Sequence, residues 1–171
     1  IKVKTEPELR LAALASKMSL KLKDVLLGSD SMSFLKESNQ LRFFPELESL
    51  IGVRQNPKWH PEGDVWIHTL LSLDAAAKLR VGDEFEDEVL MFGVLCHDLG
   101  KPETTQEIDG ALRCHGHEGA GVPPTRTFMN RLRASNELVA AVKAVVVHHL
   151  APSQFPQQGA KPAAYRRLAR K

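Results

Sequence analysis

Apolar residues recur at intervals of three and four along most of this chain, which places them on one face of an α-helix. Residues that begin and end helices flank these stretches. Thr5 and Glu8 form a capping box, Asp64 can cap a second stretch, and Gly28 can end the first. No series of alternating apolar and polar residues indicates a sheet, and no internal repeat occurs. The pattern therefore predicts an all-α bundle.

The spacing also predicts where the helices lie. They are expected over about residues 5–28, over 31–37, over 64–79, from 86 to the His97–Asp98 pair, from Pro123, from Ser135 or Asn136 to His149, and from Ala163. The helix after Asp64 has apolar residues on most faces, so it should be buried on more than one side. Loops are expected over Pro57–Gly63, through Gly110 and Gly116, and over the Gln, Gly, Ala and Pro residues that follow Pro152 and Pro156.

Length and composition limit the classes of protein that remain. A chain of 171 residues can bury the core of one domain. Its two cysteines form no CxxC pair, no apolar run is long enough to span a bilayer, and the start is not a signal sequence. We therefore expect a soluble cytoplasmic protein with no membrane partner, whose oligomeric state the sequence does not give.

Charge gives only a weak indication of a partner. The formal net charge of +2 is too small to identify a nucleic-acid-binding protein. Basic residues nevertheless cluster at Arg126, Arg131, Arg133, and at Arg166, Arg167, Arg170 and Lys171. These clusters favour a phosphate-rich partner.

Histidines near the predicted helix ends are the main chemical feature. They occur with one aspartate at His68, His97, Asp98, His117, His148 and His149. A single histidine on an apolar face is usually a core residue, but a bundle can bring several together. Neutral imidazole and carboxylate suit a divalent cation, and the chain offers no obvious nucleophile. The set therefore predicts a metal-dependent phosphohydrolase site for a divalent cation such as Zn, Ni, Mn, Mg or Fe.

The segment Cys96-His97-Asp98-Leu99-Gly100-Lys101, preceded by His68, resembles the HD superfamily of metal-dependent phosphohydrolases. That family's pattern is a histidine, a His-Asp doublet and a final aspartate. Over about residues 43–171 the chain is similar to the HD region attached to bacterial tRNA nucleotidyltransferases, the CCA-adding enzymes. Three segments carry this similarity, namely Phe43–Leu47, Trp59–Leu70 and Gly116–Gly121.

The resemblance implies roles for individual residues. His68, His97 and Asp98 would bind a metal ion, and Asp98 would also orient a water or accept its proton. Lys101 would neutralise phosphate oxygens or cap the preceding helix, and these two roles stay open. His117, His148 and His149 fit the added ligands of the two-metal subclass, although one ion is expected rather than two. The substrate would be a phosphate monoester, a cyclic nucleotide or an RNA 3′ end.

The resemblance also implies a domain division. Residues 1–44 would be a helical connector or the remnant of an upstream region, and residues 45–171 an HD domain. No aspartate follows Asp109, so the family's final aspartate is expected beyond Lys171. A nucleotidyltransferase needs a glycine-rich turn followed by paired carboxylates, which this sequence lacks. That activity would require a region upstream of Ile1.

Several alternatives compete with the catalytic interpretation. The helical region can instead be a non-catalytic module that binds tRNA, or a scaffold for dimerisation through its apolar first helix. His60 and Glu62 can line the pocket, although a solvent-facing loop is favoured. Cys114, His115 and His117 lack the second ligand pair of a structural zinc site.

Overall fold

The computed structural model describes residue 22, residues 24–27 and residues 41–170. Of the first predicted helix, residue 22 and residues 24–27 are helical, and Leu22 and Leu26 are fully buried. The capping box of Thr5 and Glu8, and the helix predicted over residues 31–37, lie outside the described residues.

The remaining described residues form short and medium helices with one small hairpin. In chain order they are a 3-10 turn (Leu41–Phe43), α1 (Pro45–Glu48), α2 (Val65–Ala77), α3 (Glu84–Cys96), α4 (Lys101–Thr104), β1 (Gln106–Ile108), β2 (Ala111–Arg113), α5 (His117–Ala120), α6 (Val122–Arg131), α7 (Asn136–His148), α8 (Ala151–Gln157) and α9 (Pro162–Leu168). The described part is thus mostly helical, which confirms the predicted all-α class.

Helix α3 lies at the centre of the bundle, packed between α2 and α7, and α6 covers α7 from another side. The core side chains that these helices contribute are almost fully buried, among them Leu73, Met91, Leu95, Phe128, Val142 and Val146. Gly93 lets α3 and α7 approach closely, because a Cβ there would lie 2.8 Å from a methyl carbon of Val145. This packing places the carboxyl-terminal ends of both helices in one region.

Side-chain caps fix where the main helices begin. The Asp64 carboxylate accepts from the backbone N–H of Ile67 and, through its other oxygen, from that of Gly52. The predicted cap at Asp64 is therefore confirmed. Ser135 caps α7 in the same way. Helix α3 begins at Glu84, two residues before the predicted position, because Asp83 accepts from the N–H of Glu86.

Two short elements differ from the prediction. Strands β1 and β2 pair antiparallel, and the turn between them is Asp109-Gly110, both with positive φ (52° and 72°). Such a pair favours a tight hairpin turn. Helix α8 was not predicted; Pro152 lies in its first turn, where the missing N–H is not needed. The loop expected after Pro152 and Pro156 lies between α8 and α9.

One described stretch, Asn136–Gln157, is long and apolar enough to cross a membrane by length and composition. Val142 and Val146 within it are fully buried in the core of the bundle. Only 22% of its most apolar part is buried, and it comprises the two helices α7 and α8.

Candidate metal centre

Asp98 lies immediately after α3, at the centre of the histidine cluster. Its side chain is 1% exposed, and neither carboxylate oxygen has a partner with hydrogen-bonding geometry among the described residues. The Nζ atom of Lys101 lies 2.8 Å from Oδ2 and forms an ion pair with it. Burial opposes the charged form, but contacts with His97 and Lys101 outweigh it and hold the pKa of Asp98 well below its ordinary value. Asp98 is therefore a buried, charged carboxylate.

Four histidines direct a ring nitrogen towards this carboxylate. The Nε2 atoms of His97 and His68 lie 3.1 and 3.9 Å from Oδ2. The Nε2 atoms of His117 and His149 lie 3.4 and 4.0 Å from Oδ1. Potential ligand atoms thus form two groups that share Asp98, one on each of its oxygens.

The other ring nitrogen of three of these histidines is held by the backbone. The Nδ1 atoms of His97, His117 and His149 each lie 2.7 Å from the carbonyl oxygen three residues earlier. A carbonyl oxygen only accepts, so Nδ1 must carry the hydrogen in each ring. Nε2 is then the ring nitrogen that faces Asp98 and, in the neutral form of a ring, carries the lone pair.

The Nδ1 atom of His68 is held by a side chain instead of a backbone carbonyl. Its Nδ1 atom lies 2.6 Å from Oε1 of Glu62, which also contacts Nδ1 of His60 at 3.0 Å. Burial tends to raise the pKa of Glu62, but hydrogen bonds from its own backbone N–H, His60 and His68 lower it to about 2. Glu62 is therefore charged and orients the His68 ring. The solvent-facing loop favoured for His60 and Glu62 is wrong, since both turn towards the cluster.

The donor set fits a divalent cation. The Nε2 atoms of His117 and His149 face each other at 3.1 Å beside the Asp98 carboxylate, and two lone pairs at this distance repel unless a cation lies nearby. Burial lowers the pKa of His149, which disfavours a proton on that ring near neutral pH. Imidazole nitrogens and one carboxylate are the ligands that such an ion prefers.

Helix ends and a glycine bring these residues together. His97 and His149 are the C-cap residues of α3 and α7, where the helix dipole favours positive charge. Gly100 lets the α3–α4 turn contact α5, because a Cβ at this position would lie 2.1 Å from the carbonyl oxygen of His117 and 2.5 Å from the backbone nitrogen of Gly121. The glycine of the His-Asp-x-Gly-Lys segment thus permits His117 to reach Asp98.

The cluster opens into a cavity of about 390 Å³, whose wall also includes Arg113, His115 and Glu118. His148 does not line this cavity. It borders a separate apolar cavity with Val89 and Val145, because neighbouring residues on a helix point about 100° apart. Of the adjacent pair, the structure brings only His149 to Asp98.

The positions of Lys101 and Cys114 decide two further expectations, a helix cap at Lys101 and a zinc site that includes Cys114. Lys101 is buried and donates to Oε1 of Gln55 at 2.7 Å besides pairing with Asp98, so it does not cap a helix. Cys114 borders the cavity, yet none of the ligand groups found among the described residues contains a cysteine. Burial raises the pKa of its thiol, which also disfavours metal binding.

Glu62 is the functional candidate that sequence reasoning undervalued. Its position two residues after His60 and six before His68 was visible in the sequence. Only the fold shows that the intervening turn folds back onto the first turns of α2. No helical spacing could have given this contact.

Comparison with known proteins agrees with the geometry. The sequence model of the HD domain family matches residues 65–169. A multifunctional CCA protein from Mannheimia succiniciproducens is 43% identical over 90 residues, which are 53% of this chain and 21% of that protein. The chain thus matches about a fifth (21%) of the length of that relative. No solved structure matches the chain. Because the family match covers more than half of the chain and includes Asp98 and the four histidines around it, this chain belongs to the HD domain family.

Proposed function

We propose that this domain is a divalent-metal phosphohydrolase that acts on the phosphate ester of a nucleotide or of an RNA 3′ end. One observation carries the proposal. A buried, charged Asp98 has both oxygens without hydrogen-bonding partners among the described residues, lies between two pairs of imidazole Nε2 atoms, and borders an open cavity.

The two ligand groups define where ions would bind. His68 and His97 would hold one ion with Oδ2 of Asp98, and His117 and His149 would hold a second with Oδ1. The two ligand groups would suit two ions, where the sequence favoured one. When bound, such ions polarise a phosphoryl oxygen and activate a water. The four nitrogen ligands favour a transition ion such as Ni, Mn, Co, Fe or Zn over Mg.

The chain's own residues would bind and orient the phosphate. Arg113 and His115 border the cavity and can neutralise phosphate oxygens. Asp98 is a weak base because its pKa is well below the ordinary value, so we assign it as a ligand and not as a proton acceptor. Lys101 would hold Asp98 in place through their ion pair.

The wider context is also a proposal. Similarity to a multifunctional CCA protein supports an HD region within a tRNA nucleotidyltransferase-like protein of the cytoplasm. We place the HD domain at residues 45–171 and the connector at residues 1–44. The final aspartate implied by the resemblance is not among residues 110–171.

Phosphate release tests the proposal. Protein supplied with Ni, Mn, Co or Mg should release phosphate from adenosine monophosphates or open a 2′,3′-cyclic phosphate. Asp98→Asn should reduce the rate by at least about a hundredfold, since it removes the charge shared by both ligand groups. His148→Ala is the matched control and should keep the full rate. Equal rates for the unmodified protein and Asp98→Asn would disprove the proposal.

Exposed arginines support the alternative of a non-catalytic tRNA-binding module. Arg126, Arg133, Arg166 and Arg167 are exposed, whereas Arg131 pairs with Glu46 at 2.7 Å. Phosphate contacts of this kind give affinity that falls as salt rises. Titration with tRNA at two salt concentrations would support the alternative if binding is salt-dependent while no metal supports phosphate release. Absence of binding would exclude it.

A further inference from the structure

A second cavity adjoins the metal centre. It has a volume of about 410 Å³, and its wall includes His60, Lys101, Arg113 and Gln154, which also border the metal cavity. The two cavities therefore form one continuous depression. A ligand with its phosphate at Asp98 would extend into this second space.

The side chains particular to the second cavity are aromatic, amide and cationic. Trp59 is 71% exposed on its wall, which is unusual for an indole ring in a folded domain. Lys58 covers one ring face with its Nζ atom 5.2 Å from the ring centroid, so a ligand would meet the other face. Arg54 and Asn56 also line this cavity.

Amide side chains that line the second cavity can form hydrogen bonds with the polar edge of a bound base. Asn56 accepts from the backbone N–H of Lys58 through Oδ1, and its NH₂ group makes no hydrogen bond among the described residues. Gln154 and Gln157, on α8, also line this cavity and are exposed. An aromatic face beside amide donors and acceptors is the arrangement that recognises an unpaired nucleobase.

We propose that this second cavity is a nucleoside subsite, in which the base of the substrate stacks on Trp59 while its phosphate lies in the metal cavity. The inference rests on the proposed function for the position of the phosphate. It makes a nucleotide, and not a small phosphate ester without a base, the preferred substrate class.

Matched ligands and matched variants test the subsite. Adenosine 5′-monophosphate and ribose 5-phosphate differ by the base, and the dissociation constant of each is measured by calorimetry with metal present. Trp59→Ala should weaken binding of the adenosine nucleotide by roughly five- to a hundredfold, the range found for one stacked base. Binding of ribose 5-phosphate should not change. Trp59→Phe should keep most of the affinity, and Leu79→Ala, which alters a 68% exposed residue outside both cavities, should keep all of it.

The inference fails if Trp59→Ala weakens both ligands equally, if it weakens neither, or if the unmodified protein binds the two ligands with equal affinity. Its failure is distinguishable from failure of the proposed function. Phosphate release without a preference for a ligand with a base would support the proposed hydrolase function and contradict the nucleoside subsite. A preference for the adenosine nucleotide that depends on Trp59, without phosphate release, would support the subsite and contradict the hydrolase function.

Discussion

Each histidine around Asp98 has an acceptor on its Nδ1 atom, which leaves Nε2 directed at the carboxylate. For His97, His117 and His149 the acceptor is a backbone carbonyl, and for His68 it is Glu62. Such outer contacts fix the orientation and the tautomer of metal-binding histidines. At the scale of the residue, the backbone carbonyls and the one side chain that hold the ligands are therefore as important as the ligands.

Glu62→Ala should weaken metal binding by about 10- to 100-fold, because it removes the carboxylate that orients His68. Calorimetric titration with Ni²⁺ or Mn²⁺ measures the change. Glu107→Ala alters an exposed strand residue and is the control. If Glu62→Ala binds the ion as tightly as the unmodified protein, the orienting role is wrong.

Lys101→Met should cost about 3–5 kcal/mol of folding free energy without metal, because it leaves Asp98 charged and unpaired in the interior. A bound ion would supply the missing positive charge, so the cost should shrink at saturating metal. Urea unfolding with and without the ion measures both values. An equal loss under the two conditions would contradict the assignment of Asp98 as a metal ligand.

Sequence patterns predicted much of this residue-scale arrangement. The His-Asp doublet, its position at a helix end, and the preceding His68 were visible in the spacing. The choice between His148 and His149 was not, since it depends on where α7 ends and how it is rotated against α3. The contact between Glu62 and His68 depends on a loop conformation that no helical periodicity encodes.

At the scale of elements, the cluster exists because α3 and α7 end together and α5 approaches them. Caps at Asp64 and Ser135 were predictable from residue type, and so were most helix limits. The β1–β2 hairpin was overlooked although Asp109-Gly110 is a strong turn signal, because the strands are only three residues long. Helix α8 was missed because it is only seven residues long and contains two prolines.

Gly100→Ala should destabilise the fold by about 1–3 kcal/mol, because the added Cβ would overlap the backbone of α5 and force it away. The shift should also move His117 from Asp98 and weaken metal binding at that group. Gly119→Ala is the matched control, since a Cβ there meets nothing within 4 Å and φ is not positive. Thermal unfolding and metal titration follow both effects. Equal stability of the two variants would show that the close approach of Gly100 is unimportant.

At the scale of the whole molecule, core and cluster are built from the same helices. Met91 and Leu95 of α3 and Val142 and Val146 of α7 are fully buried, and the ends of these two helices carry His97 and His149. An ion that binds only the folded chain stabilises it by mass action, with about 2.7 kcal/mol expected at a hundredfold excess over the dissociation constant. Metal occupancy should therefore raise the stability of the entire bundle.

The number of metal ions bound by variants of the adjacent residues His148 and His149 tests most directly the central claim, that Asp98 and four histidines form a metal centre. Elemental analysis after saturation and removal of free ion should find two ions per chain in the unmodified protein and in His148→Ala, because His148 lies outside the cluster. His149→Ala should lose the ion on the Oδ1 side of Asp98 and retain one. Equal metal content in the two variants, or no retained metal in the unmodified protein, would contradict the account.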